Sequence, residues 1–248
     1  MKLTGRTILI TGGSAGIGLA FALKFLELGN QVIVTGRRQE VIDEVKAEHP
    51  MLHTIQSDVA DSAQIAALAA RVKTDFPKLD VLMNNAGIML YKNLKAPEPD
   101  LAGLMTEMNI NVGGVIGMTS AFIYILTANK GTVINVSSAL AFAPLPATPI
   151  YSATKAAIHS YTQSLRFQLE ESGVEVIELM PPAVKTALCG RPSRGRPPQS
   201  DYHGRAGEAV LCVLEGGSPR NSARAVQDTC VDAPPRSRFH QRATLEGV

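Results

Sequence analysis

Cysteine is scarce in this chain, and the three that occur exclude more than they suggest. Cys189, Cys212 and Cys230 lack the paired spacing of a zinc site and do not make an even disulfide set. A metal-stapled or disulfide-stapled scaffold is therefore excluded, and a reducing compartment is expected. The sequon Asn135-Val136-Ser137 then needs no glycan. A dominant charge of one sign is also missing. The formal net charge is +2 with both signs interspersed, so no basic field points to nucleic acid or to an anionic membrane surface. The partner this leaves is a small molecule. From Met1-Lys2-Leu3 the chain moves at once into a strand-like run, without an apolar segment of signal-peptide or spanning length, and a cytoplasmic location with no membrane partner is expected.

What is present is an alternation. Apolar, β-branched runs at Thr7–Thr11, Gln31–Thr35, His53–Ser57, Val81–Asn84, Thr132–Ser137 and Val174–Met180 read as short strands. Helical periodicity fills the intervals at Ile17–Leu28, Glu40–Glu48, Ser62–Thr74, Leu101–Ala128 and Ser152–Glu171. The first of these stops at Gly29-Asn30, a helix-stop pair. Strands apolar throughout and separated by helices predict a parallel sheet covered on both faces, an α/β doubly wound (Rossmann) fold. The 248 residues fit one such domain. Sheets of this kind hold ligands at the carboxyl ends of their strands.

The motifs fall there. Thr11-Gly12-Gly13-Ser14-Ala15-Gly16-Ile17-Gly18 follows the first strand and opens the first helix, the context a dinucleotide phosphate requires. Gly12, Gly16 and Gly18 let the backbone turn and approach a pyrophosphate, and the helix start, with Ser14 and Ile17, offers N–H groups and positive dipole. The second strand ends Val34-Thr35-Gly36-Arg37-Arg38, where an NAD site usually has a carboxylate for the ribose hydroxyl. Arg37 and Arg38 instead suit a 2′-phosphate and predict NADP(H); two solvated arginines are the plain alternative. After the third strand, Asp58 and Val59 suit an adenine ring, and Asp58 suits equally well the cap of the following helix.

Tyr151 and Lys155 lie four apart in a helical stretch and share a face. An ammonium beside a phenol favours the phenolate, which makes Tyr151 an acid/base near neutral pH. Ser138, at the end of the fifth strand, can donate to the same substrate oxygen. Alone, such a Tyr-x-x-x-Lys pair is common by chance.

As a set, Thr11–Gly18, Asn84-Asn85-Ala86-Gly87, Asn111, Val136-Ser137-Ser138 and Tyr151-Ser152-Ala153-Thr154-Lys155 resemble the short-chain dehydrogenase/reductase superfamily in order and spacing, over residues 3 to about 189. Around Leu140–Ile158 the chain resembles a bacterial branch named for teichoic-acid D-alanylation. The resemblance implies an NADP-dependent oxidoreductase that moves hydride between a nicotinamide and a small carbonyl or alcohol, with Asn111, Ser138, Tyr151 and Lys155 as catalytic residues. It implies that Asn85, Ala86 and Gly87 flank the cofactor and that Asn111 supports a water relay behind Lys155. Asn109 is the alternative to Asn111, whose spacing to the following glycine fits better. Lys155 would also bind the nicotinamide ribose, and Pro181, Val184 and Thr186 the nicotinamide end. Where the family has Pro-Gly, this chain has Pro181-Pro182, a stiffer turn. A homodimer through the long helices is implied; a tetramer through a seventh strand is doubtful. The apolar, proline-rich Ala139–Ile150 reads as one wall of a pocket for an apolar substrate, or as a rigid connection packed on its own core. His159 reads as packed or exposed, and Met105, Met108 and Met118 as core or subunit contacts.

The composition breaks after Cys189. All ten lysines lie at or before Lys185, nine of fourteen arginines lie beyond Cys189, and isoleucine disappears. The chain therefore divides into 1–189, carrying the cofactor and catalytic residues, and an atypical 190–248. That segment is either a divergent, partly disordered tail or the product of a frameshift; shifting a back-translation of Asn221–Thr229 by one base permits Ile-Leu-Pro-Glu-Arg-Phe-Lys-Thr. The segment leaves a second functional class open, a nucleotide-binding sensor with little turnover. A reductase for an acyl-carrier protein is disfavoured, since outside this segment the basic surface such a carrier needs is missing. Resequencing the gene through this region decides the first point: an intact frame shared by close relatives defeats the frameshift.

Overall fold

The strands are short, and three of them are buried along their whole length, which only a sheet covered by helices on two faces permits. In the computed structural model, which describes residues 2–95 and 100–181, the strands are β1 (Thr7–Thr11), β2 (Gln31–Gly36), β3 (His53–Gln56), β4 (Val81–Asn84), β5 (Thr132–Val136) and β6 (Glu175–Leu179). They form one parallel sheet of order β3-β2-β1-β4-β5-β6, so the predicted doubly wound fold is the observed one. The order reverses between β1 and β4, and the crevice of such a sheet opens at that point. Residues 182–248, with Val184, Thr186 and the three cysteines, lie outside the described residues.

Among the described residues six α-helices cover the sheet: α1 (Gly16–Glu27), α2 (Gln39–Glu48), α3 (Ser62–Asp75), α4 (Leu101–Met108), α5 (Gly114–Ala128) and α6 (Pro149–Gln168). Period-2 alternation sorts the strand side chains into two cores. Ile8, Ile10, Val32, Val34 and Ile134 meet Phe21 and Phe25 of α1 and Val45 of α2. Leu9, Ile33, Leu82 and Val133 meet α3, α5 and α6 through Val72, Met118, Phe122 and Leu165. The stretch Leu101–Ala128 is apolar and long enough to cross a membrane, with 44% of its 18-residue apolar window buried inside the fold.

That stretch departs from the single helix its periodicity predicts. A π-helical turn, Asn109–Gly113, separates α4 from α5, and Gly114 N–H bonds to Asn109 O five residues back. Two other local differences have side-chain causes. Asp61, not Asp58, caps α3, accepting from the N–H groups of Ala63 and Gln64. A 3-10 turn at Ala139–Ala141, with Ser138 Oγ accepting from Leu140 N–H, interrupts the segment before α6.

The second core contains a polar ladder. Asn84 Nδ2 donates to Thr119 Oγ1 (3.0 Å) and to Asn135 Oδ1 (2.9 Å), and Asn135 Nδ2 donates to Thr162 Oγ1 (3.0 Å). All four residues are buried, and the ladder ties α5 to β4, β5 and α6 across the face beneath the site. Replacing Asn135 by Leu leaves a buried amide donor and a buried hydroxyl short of a partner. We expect a loss of about 2–4 kcal/mol of unfolding free energy in urea titration, from roughly 1–3 kcal/mol per orphaned group.

Candidate active site

The crevice is built first by β1 and β4. Thr11 Oγ1 accepts from the N–H groups of both Asn85 and Ala86 (3.0 Å each), and Asn85 Nδ2 donates to Thr11 O at 2.9 Å and Gly12 O at 3.3 Å. This clasp brings the chain after β4 against the loop after β1. The approach leaves no room for side chains: a Cβ on Gly12, whose φ is +64°, would lie 2.9 Å from Ala86 Cα, and one on Gly18 would lie 2.4 Å from Asn85 Nδ2. Ala15 is the N-cap of α1 and gives no side-chain bond, so the first N–H groups of the helix have no side-chain cap. Ser14 lies against Gly36, and Ile17 packs on the core under α1. An uncapped helix start over a glycine turn fits a pyrophosphate.

Arg37 and Arg38 follow β2 and are exposed, and neither enters an ion pair among the described residues. Asp58 is half-buried after β3, its Oδ1 accepting from Ala60 N–H at 2.9 Å. The Val59 side chain is 8% exposed and packs in the core, where a Cβ on Gly114 would lie 2.8 Å from its Cγ2. Pro181 is half-buried just beyond β6.

Tyr151 and Lys155 lie on α6 and are 8% and 5% exposed. Lys155 Nζ donates to Val136 O at 2.8 Å and lies 5.5 Å from the Tyr151 ring centroid. Among the described residues no carboxylate pairs with it. Burial alone lowers its pKa from the ordinary 10.5 to about 8, so at neutral pH it is a desolvated ammonium beside a phenol.

Asn111 is 1% exposed in the π turn, whereas Asn109 is exposed. Its Nδ2 donates to Ile88 O (2.8 Å) and Thr154 Oγ1 (3.1 Å), and its Oδ1 accepts from Ile88 N–H (2.8 Å). Asn111 Oδ1 and Lys155 Nζ flank Gly87, at 3.1 and 3.9 Å from where its Cβ would be. Thr154 Oγ1 in turn donates to Tyr151 O, so the π turn is linked to α6. Ser138 is half-buried immediately after β5.

Several supporting residues were not singled out from sequence. Thr11 was read only as the first residue of a glycine motif. Glu107, fully buried one turn before Asn111, accepts from Leu90 N–H at 2.8 Å, and its other oxygen has no partner. Burial raises its pKa, outweighing the Leu90 bond and Lys92. It is the one charged residue in Leu101–Ala128, and that isolation was the available signal. The apolar segment 139–149 lines a cleft of about 410 Å³ with Leu140, Pro144, Leu145 and Pro149, closed by Ser152, Ala153 and Ala156 of α6. These α6 residues lie on a different face of the helix from Tyr151 and Lys155, which do not line the cleft.

Residues 6–195 match the sequence pattern of the short chain dehydrogenase family. The chain is 43% identical over 189 residues to the uncharacterized oxidoreductase DltE of Bacillus subtilis (strain 168), covering 76% of this chain and 75% of that protein. A solved short chain dehydrogenase from Burkholderia cenocepacia J2315, in complex with NADP, aligns with a TM-score of 0.74 at 30% identity over 94% of this chain and 95% of the other. A short chain dehydrogenase/reductase from Burkholderia phymatum, in complex with NAD, aligns with a TM-score of 0.70 at 25% identity over 93% and 82%.

The buried ammonium has a thermodynamic signature. Because the folded state depresses the Lys155 pKa, the unfolded chain binds more protons between about pH 8 and 10.5. The group therefore destabilises the fold fully below pH 8, and the penalty lifts as pH rises toward 10.5. In urea titrations, the stability of wild type relative to Lys155→Met should be flat below about pH 8 and then climb by roughly 3 kcal/mol. A flat difference throughout contradicts the desolvation.

Proposed function

The chain belongs to the short-chain dehydrogenase family, and on that footing we propose that it is an NADP-dependent oxidoreductase acting on a small, apolar, uncharged carbonyl or the corresponding alcohol. The observation that carries the reading is the desolvated Lys155 ammonium 5.5 Å from the ring centroid of the buried Tyr151, on one face of α6.

The glycine turn and the uncapped start of α1 would hold the pyrophosphate, Arg37 and Arg38 the 2′-phosphate, and Asp58 with Val59 the adenine. Asn85, Ala86 and Gly87 would flank the cofactor, with Pro181, Val184 and Thr186 near the nicotinamide. When bound, the nicotinamide supplies hydride to a carbonyl carbon or accepts it from an alcohol. The chain's own residues handle the oxygen and its proton. In reduction the Tyr151 hydroxyl gives its proton to the substrate oxygen, and in oxidation the phenolate takes one back. Lys155 stabilises the negative charge left on the phenol oxygen, which costs less where water is excluded. Ser138 donates to the same substrate oxygen and orients it. Asn111, through Ile88 and Thr154, holds the backbone on which Lys155 and Tyr151 are set.

The choice of NADP rests on the two exposed guanidinium groups and the missing carboxylate after β2. The apolar substrate rests on the composition of Ala139–Ile150. Exposed Met105, Ile116, Tyr124 and Phe167 on the outer faces of α4, α5 and α6 support a homodimer formed through these helices.

Carbonyl reduction followed by NADPH absorbance tests the reading. Tyr151→Phe should lower kcat about 10²–10⁴-fold while leaving NADPH binding intact. Arg37→Ala should weaken NADPH roughly tenfold or more and leave NADH unaffected. Equal rates with NADH and NADPH in wild type would overturn the cofactor assignment. Tight NADPH binding with no rate above Tyr151→Phe across aldehydes, ketones and alcohols would make the chain a nucleotide-binding sensor instead.

A further inference from the structure

One polar cluster is left over by this account. Glu178 on β6 has a side chain 8% exposed, and its two oxygens go to different places. Oε1 accepts from Ser137 Oγ at 2.5 Å, and Oε2 accepts from His159 Nδ1 at 2.8 Å. His159 lies on α6, one turn beyond Lys155, and its Nε2 meets the Gln163 amide. The edge of the His159 ring packs against Phe142, with centroids 4.5 Å apart at 71°. Two carboxylate bonds in a nearly dry setting are charge-assisted and among the stronger bonds a side chain makes.

The geometry of these contacts brackets Ser138. The residue before it, Ser137, is tied to β6 twice, by its hydroxyl to Glu178 and by its N–H to Leu179 O at 2.8 Å. Four residues after it, Phe142 closes the 3-10 turn and rests on His159, which the same carboxylate holds. Ser138 itself is extended, with φ −164° and ψ 155°, and its hydroxyl accepts only from Leu140 N–H among the described residues. In extended backbone, successive side chains point to opposite sides. Pinning Ser137 toward Glu178 therefore turns Ser138 the other way.

We infer that Glu178 is a positioning residue for Ser138, acting through Ser137 on one side and through His159 and Phe142 on the other. The inference rests on the oxidoreductase reading for its catalytic consequence: the carboxylate aims the hydroxyl that holds the substrate oxygen without touching the substrate. A donor left free to wander loses much of its value, because small misplacements at the reacting atoms cost rate steeply.

The test is a double-mutant cycle in the full chain, with NADPH and 4-nitrobenzaldehyde as the probe carbonyl. Glu178→Gln keeps the volume and removes the charge and one acceptor. It should lower kcat roughly 10- to 100-fold in wild type. In a Ser138→Ala background the same change should matter less than about twofold, since the group it aims is gone. NADPH affinity, read by fluorescence titration, should stay within about twofold in all four proteins. An equal loss in both backgrounds, or no loss in wild type, overturns the inference.

Amide hydrogen exchange supplies an arm independent of turnover. The N–H groups of Leu140, Ala141 and Phe142 close the turn after Ser138 and should exchange about tenfold faster in Glu178→Gln and in His159→Ala. Unchanged exchange there overturns the bracket even if rates fall. If wild type reduces no carbonyl while the two variants still show this quickening, the oxidoreductase reading is overturned and the bracket stands.

Discussion

A cation that no carboxylate among the described residues answers sits at the carboxyl end of β5, and the surrounding architecture bears on how that is tolerated. Lys155 holds one backbone carbonyl and is otherwise enclosed. A lone buried charge is costly enough that ordinary structural lysines avoid it. Here the cost is met by rigid elements on every side: a parallel sheet with dry cores on both faces, a helix that carries Lys155 and Tyr151 at a fixed spacing, and a π turn bonded to that helix through Thr154. The enclosure also keeps the ammonium's field unscreened by water, and on the function proposed above that field is what would suit the phenol beside it to acid/base work.

The clasp at the head of the sheet serves the opposite purpose. Thr11, Asn85 and Ala86 draw two loops together so closely that Gly12 and Gly18 cannot carry side chains, and what remains open above them is backbone N–H. One end of the crevice thus presents an uncapped helix dipole, and the other presents a full cation. Both ends depend on strands that stop in register, since each carboxyl end delivers one group: Thr11 from β1, Arg37 from β2, Asn85 from β4, Ser138 from β5.

Much of this was legible in the residues, and the reason is periodicity. Thr7–Thr11 and Val81–Asn84 are continuous apolar runs bounded by turn residues, and such runs have few alternatives to a buried strand; both were read to the residue. The motif positions followed, because a strand end fixes where a loop begins. Misreadings arose where a side chain bonds to distant backbone. Nothing in Leu101–Ala128 announces that Asn111 will bond Ile88 and that the helix will widen to allow it. Asp58 and Asp61 both precede α3, and it is Asp61 whose carboxylate accepts from the first N–H groups of the helix while that of Asp58 turns to Ala60. His159, which reads as packed or exposed, does pack on Phe142 and is partly exposed; only its partner Glu178, nineteen residues away on another element, is beyond any local pattern.

The π turn also changes what lies beyond it. One extra residue per turn advances the helix by about 100°. The sequence spacing that sets a stripe on α4 therefore does not carry over unchanged into α5, and residues that a regular helix would align, such as Met105 and Ile116, are set about 100° apart. Deleting a single residue from Asn109–Gly113 would restore a regular rod and a continuous stripe, and would swing Asn111 out of reach of the loop it holds. The irregularity is thus a compromise struck within one helix between what its exterior presents and what its interior secures.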